Sequence, residues 1–171
     1  DGRVLTIRSA EPKDAASLAL HRCITSGETP FMARYPEECT LDTAALGAWL
    51  QGMAEDAQNF AVTAFDGGNV VGDLGIQRVR AHLKMQHRAN LGVSIQAAYC
   101  GCGLGRAMLQ IAVAQARENG FEQIELGVFA DNVRAIHLYR SLGFEDFGCT
   151  PRAFRLKDGT YHDERMLVKF L

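Results

Sequence analysis

The run Gly101-Cys102-Gly103-Leu104-Gly105 lies between an alternating stretch that carries Leu91, Val93 and Ile95 and a segment with helical periodicity. A strand that enters a glycine-rich turn and leaves it as a helix restricts the fold more than any other feature of the chain. Such a turn presents unpaired backbone N–H groups at the positive end of a helix dipole, which suits a phosphate, and it requires a sheet to carry the strand. The spacing narrows the ligand. A dinucleotide fingerprint needs a third glycine where this chain has Arg106, and a Walker-type loop needs Gly-Lys-Ser/Thr, which is absent after the turn.

Around this turn the chain alternates between strands and helices. Residues 5–8 read as a short strand, and Glu11, Pro12 and Asp14 open a helix to about Ser26, ending near Gly27. Residues 28–40, with Pro30 and Pro36, read as a lid-like loop bearing Phe31, Met32 and Tyr35. Asp42 or Thr40 caps a second helix that runs to about Asp56. Residues 60–65 and 70–79 form a hairpin around Asp66-Gly67-Gly68-Asn69. After the glycines, Leu104, Met108, Ile111 and Ala114 or Gln115 mark a buried stripe, and Asn119-Gly120 ends that helix. Residues 121–129 are a strand with Ile124, Leu126 and Val128 on one side and Glu125 and Gly127 on the other. A helix joins it to the preceding strand, so the two are parallel neighbours. Asp131 or Asn132 caps a last helix, which carries Ala135, Leu138, Tyr139 and Leu142 and stops at Gly143. Residues 144–149 and 161–170 are strands joined around a turn at 157–160. The expected fold is α/β: one domain over residues 1–171, with a mixed sheet of six to seven strands flanked by about four helices.

Composition removes several classes of function. The net charge is -2 with the signs dispersed, which argues against a nucleic-acid partner. The chain lacks the long apolar run of a membrane span and has no signal-peptide pattern at its start, so a cytoplasmic protein is expected. Five cysteines, mostly far apart, do not form a secreted disulfide framework, and Cys100 and Cys102 have no further ligands with which to complete a metal shell.

The segment Ile95-Gln96-Ala97-Ala98-Tyr99-Cys100-Gly101-Cys102-Gly103-Leu104-Gly105-Arg106 resembles the acyl-CoA-binding motif of the GNAT N-acetyltransferases, whose core is Gln/Arg-x-x-Gly-x-Gly/Ala. Gly103 and Gly105 match; Cys100 stands where Gln or Arg is usual, and Cys102 where a basic residue is frequent. The segment from Leu126 through Asn132 and Tyr139 to Phe144 is similar to the next region of that family's chains. The resemblance implies acetyl-CoA as cofactor, bound by Val93, Ile95, Cys100, Gly101, Cys102, Gly103, Leu104, Gly105, Arg106 and Asn132. It also implies that Val93 and Ile95 pair with the pantetheine amides like an added strand. The implied reaction moves an acetyl group to a primary amine of a small molecule or peptide N-terminus by direct attack in a ternary complex. Dimers are frequent in such families, so a homodimer is compatible. The alternative, motivated by Cys100 and Cys102, is a CoA-binding sensor with little transferase activity.

The resemblance makes Tyr139 the candidate general acid for the leaving thiolate, although its helix face suits a core aromatic equally well. Glu125 is the candidate base, or else a surface carboxylate paired with Lys or Arg; His87 and Asp73 are looser alternatives. A backbone N–H near Ile95 is the candidate oxyanion donor. Asn132 also fits a simple helix cap. In the loop, Glu37 and Glu38 with Tyr35 and Phe31 form either an acidic aromatic pocket for a cationic amine or a solvated surface.

Overall fold

Side-chain alternation decides which side of the sheet each helix covers. The computed structural model describes residues 2–171. Its strands are β1 (Thr6–Arg8), β2 (Phe60–Asp66), β3 (Asn69–Arg78), β4 (Arg88–Ile95), β5 (Gln123–Phe129), β6 (Glu145–Arg155) and β7 (Tyr161–Phe170). Its helices are α1 (Ala15–Glu28), α2 (Thr43–Glu55), α3 (Leu104–Glu118) and α4 (Val133–Ser141). On one side of the sheet, Val62, Leu74, Ile76, Leu91, Ile124 and Leu126 pack against α3 and α4. On the other, Phe65 and Val70 meet Leu18 of α1 and Leu50 of α2. Complete burial of each large aliphatic side chain contributes about 2 kcal/mol. Gly72 lets α3 approach the sheet, because a Cβ there would lie 3.0 Å from Met108 Sδ.

The strand order is β1-β2-β3-β4-β5-β7-β6. Every neighbouring pair is antiparallel except β4 and β5, which share only the rungs Arg88↔Gln123, Ala89↔Ile124 and Asn90↔Glu125. Beyond them β4 stays with β3 as far as Gly72↔Ile95, and β5 stays with β7 as far as Phe129↔Glu164. Each strand keeps its outer neighbour, so a gap opens between the two.

Several boundaries differ from the sequence reading. A 3-10 turn at Pro12–Asp14 precedes α1, which runs through Gly27 to Glu28; the Glu28 carboxylate accepts from Ala97 N at 2.8 Å and ties the helix end to the segment before the glycine turn. β6 continues well past residue 149 despite Pro151, because it is an edge strand whose register shifts between Thr150 and Phe154. Within that shift Arg152 adopts φ 53. The buried stripe of α3 is Leu104, Met108, Leu109, Ala112 and Ala116, and the expected Ile111 is 44% exposed. The stripe runs along the alanines, whose small side chains let the helix lie close to the strands.

A polar cluster joins α1 to β4 beneath the α1 side of the sheet. His21 is fully buried; its Nε2 lies 2.9 Å from Ser94 Oγ and its Nδ1 3.4 Å from Gln96 Nε2. Burial, reinforced by the neighbouring Arg22 charge, lowers its pKa to about 4. Below its ordinary value near 6.5 the unfolded chain takes up a proton that folded His21 refuses, so stability falls as the pH drops through that window. From about pH 7 to about pH 5 the loss attributable to His21 is on the order of 2 kcal/mol. Urea unfolding at the two pH values should show this difference in the parent protein and a clearly smaller one in His21→Gln, which cannot titrate; equal slopes would remove His21 as the cause.

Candidate active site

The glycine turn is built as the sequence requires. Gly101 and Gly103 have φ 84 and φ 90, and Gly103 caps α3 in the left-handed region without any side-chain capping bond. The first amide to bond back is Ala107 N, to Gly103 O at 3.1 Å; among the described residues no backbone N–H from Gly101 to Arg106 has a partner. Six adjacent donors are therefore left unpaired at a helix N-terminus, a cradle for a doubly charged phosphate group. A side chain at Gly105 would crowd Ile95 and Leu138, with the built Cβ 3.2 and 3.3 Å away, so this glycine packs α3 against β4 and α4. Cys100 and Cys102 direct their thiols at carbonyls of their own segment, Ile95 O at 3.9 Å and Tyr99 O at 3.1 Å, and both are exposed.

Positive charge at the cradle comes from elsewhere. The Arg134 guanidinium lies 3.2 Å from where a Gly101 Cβ would stand, and Arg106 reaches Ser141 Oγ at 2.8 Å. Sequence reasoning passed over Arg134. The available signal was its place in the first turn of α4, two residues after the capping Asn132.

The gap supplies the second part of the site. Arg88 O accepts from Val79 N just past β3 and Gln96 N donates to Val71 O within it, so strand alternation turns the backbone groups of Leu91, Val93 and Ile95 toward the β5 side, where no rung lies beyond Asn90. This edge can accept an extended amide-bearing chain that begins at the cradle. Among the candidates, Val93 and Ile95 thus lie on the gap and residues 100–106 lie on the turn.

Tyr139 comes from α4. It is buried against Phe144, with ring centroids 5.8 Å apart, and burial pushes its phenol up to about 12. The phenol therefore keeps its proton at neutral pH. Its hydroxyl makes no hydrogen bond, and no side-chain N or O among the described residues is both fully buried and unpartnered, so that hydroxyl reaches the surface. Asn132 caps α4, with Oδ1 accepting from Ala135 N at 3.2 Å.

Glu125 is paired with an arginine, as the second of the two readings had it, but it lies in the interior rather than at the surface. It is buried and gripped by Arg88 Nε at 2.5 Å and Nη2 at 2.7 Å, with Gln123 Nε2 at 2.8 Å. The hydrogen bonds from Arg88 hold its carboxyl below the usual range against the opposing effect of burial, which makes it a poor proton acceptor. Asp73 is also engaged, with Arg22 at 3.5 Å and Thr63 Oγ1 at 3.1 Å. His87 precedes β4 at the end remote from the turn. The loop acids are structural: Glu37 pairs with Lys157, and Glu38 accepts from Tyr35 N at 2.8 Å. On the α1 side, a cavity of about 540 Å³ is lined by Arg22, Arg34, Glu38, Cys39 and Trp49 among others.

This arrangement, a phosphate cradle that adjoins an open strand edge, with a protonated phenol on α4, has counterparts of known family. The model of the Acetyltransferase (GNAT) family matches residues 20–144. A GNAT-family acetyltransferase from Streptococcus pneumoniae superposes with a TM-score of 0.93 at 28% identity, covering 98% of this chain and 100% of that one. L-amino acid N-acetyltransferase AaaT of Escherichia coli is 30% identical over 71% of this chain and 74% of its own length. N-alpha-acetyltransferase RimI of Mycobacterium tuberculosis is 34% identical over 57% of this chain and 60% of its own. The chain therefore belongs to the Acetyltransferase (GNAT) family and is an acetyl-CoA-dependent acyltransferase that transfers acetyl to an amine.

Proposed function

We propose that residues 1–171 act as one N-acyltransferase domain that acetylates a primary amine of a small molecule or peptide N-terminus, by direct attack in a ternary complex. The observation that carries this reading is the unpaired edge of β4 that leads into the amide cradle, in a fold whose helix α4 also carries the unpartnered hydroxyl of Tyr139. The names of the Escherichia coli and Mycobacterium tuberculosis relatives point to α-amines as acceptors, which supports the primary-amine class. The same reading puts the enzyme in the cytoplasm, in keeping with five unpaired cysteines, and leaves a homodimer for light scattering to test.

Bound acetyl-CoA supplies an activated carbonyl and a thiolate leaving group. The amides from Gly101 to Arg106, with Arg134 near Gly101, would hold its pyrophosphate, and Asn132 would offer a polar contact to the pantetheine arm. The backbone of Val93 and Ile95 orients the extended arm, and an N–H near Ile95 donates to the carbonyl oxygen as charge develops there. Tyr139 gives its proton to the sulfur; its phenol is protonated at neutral pH, as a general acid must be before the thiolate leaves.

A thiol-release assay with acetyl-CoA over a panel of primary amines tests the proposal; tight acetyl-CoA binding with no release on any amine would return the sensor reading. Tyr139→Phe should lower kcat by about 100-fold while the KM for acetyl-CoA stays within about threefold, and parallel losses in both would contradict the acid role. Arg134→Ala should weaken acetyl-CoA binding by about tenfold, the value of one lost charge-assisted contact, and make the remaining affinity less sensitive to salt. Unchanged affinity in calorimetry would remove Arg134 from the cradle.

A further inference from the structure

With Glu125, Asp73, Glu37 and Glu38 all engaged, none of these acids is free to accept the acceptor's proton. One carboxylate on the same side of the sheet is unengaged. Glu164 of β7 stands opposite Phe129 in the β5–β7 ladder, so its side chain shares a face with Gly127 and Phe129, away from the α3 side occupied by Leu126 and Val128. Its head leans across β5. A Cβ built on Gly127 would collide with it, lying 2.8 Å from Glu164 Cδ and closer still to Oε1. Because β5 lies between β7 and β4, this lean carries the carboxylate toward the gap, two residues beyond the last shared rung at Glu125. Glu164 is half-buried and its carboxylate forms no hydrogen bond or ion pair with any described residue, whereas Asp163 beside it accepts from Arg152 N at 2.8 Å and Asp131 pairs with His162 at 2.8 Å.

The surroundings fit a cation carried on an apolar arm. Phe31 from the loop meets Phe129 edge-on at 5.6 Å, and Phe154 stacks on Phe129 at 3.7 Å. The loop is fastened there by Lys157 N donating to Tyr35 Oη at 2.8 Å. Gly127 does not have a positive φ, so its lack of a side chain serves space rather than backbone conformation.

On the basis of the proposed transferase function, we infer that Glu164 is the carboxylate that binds the acceptor ammonium and takes its proton, directly or through one water, and that Gly127 is the cleft that lets it reach the gap. Glu164 accepts one proton from the ammonium. The freed lone pair forms the C–N bond to the acyl carbon as the C–S bond breaks, and the sulfur receives the proton of Tyr139. The second nitrogen proton restores the phenol through solvent, and Glu164 releases its proton to solvent, so one proton leaves per turnover. The acceptor class is a primary ammonium with an apolar segment adjacent to it.

Three variants test the assignment in the full chain. Glu164→Gln keeps the shape and cannot take the proton; it should lose about 100-fold or more in kcat/KM for the amine and lose the acid-side fall of the pH profile, with the acetyl-CoA KM within about threefold. Gly127→Ala meets only the flexible end of Glu164, so it should fold normally, displace the carboxylate and show a comparable loss. The double variant should be no worse than Glu164→Gln alone. Near-parent activity in Glu164→Gln, or a further loss on adding Gly127→Ala, would overturn the inference. If the parent protein acetylates no amine on the panel, the transferase reading itself fails. Glu164 is then judged by calorimetric binding of propylammonium to the CoA-loaded protein: about tenfold weaker binding in Glu164→Gln supports the inference, and equal binding overturns it.

Discussion

The parting of β4 from β5 is the constraint around which the rest of the molecule is arranged. Two adjacent strands tend to zip to their ends, since every unpaired backbone group in a sheet interior is costly. Here each strand is held by its outer neighbour, and the bidentate Arg88–Glu125 pair crosses from β4 to β5 at the last shared rungs. The pair serves as a staple at the closed end of the gap. It keeps the three rungs together while leaving the open end free, and it explains why the carboxyl of a buried acid at that point is held below its usual range.

From this opening, the two sides of the sheet take different tasks. The α3 side brings the amide cradle, the aliphatic contacts of Gly105 with Ile95 and Leu138, and the Tyr139 phenol. The α1 side brings polar and aromatic groups: His21 with Ser94, Asp73 with Arg22, and the Phe31–Phe129–Phe154 cluster. A gap between parallel neighbours is the place where reagents approaching from opposite sides can meet without either helix layer moving.

Most of the architecture was legible in the residues because it rests on local rules. The hairpin at Gly67-Gly68, the cap at Asn132 and the stops at Gly120 and Gly143 each depend on positive φ or a short polar side chain, and the structure has them where expected. Longer-range packing was less readable. Ile111 fits a helical stripe as well as Leu109 does, and only the contact with the sheet chooses between them. β6 passes Pro151 because it is an edge strand, and edge position is a property of the whole sheet. In the site, the turn could be read from its glycines, but Arg134 and the partner of Glu125 could not. Both contacts join residues far apart in the chain, Arg134 to Gly101 and Glu125 to Arg88, and no spacing rule encodes such a meeting.

The cysteines of the glycine turn illustrate how a binding element made of main chain tolerates change. Cys100 and Cys102 stand where the family pattern has polar or basic residues, yet their thiols point back to carbonyls while the amides stay unpaired. A cradle of this kind constrains torsion angles rather than side-chain identity, so Gly101 and Gly103 cannot be exchanged freely whereas their neighbours can drift. The charge such drift removes can be regained from a different helix, as Arg134 illustrates. Letter by letter this motif departs from the family pattern at two positions, while its left-handed glycines and unpaired amides keep the geometry of a helix-capping turn.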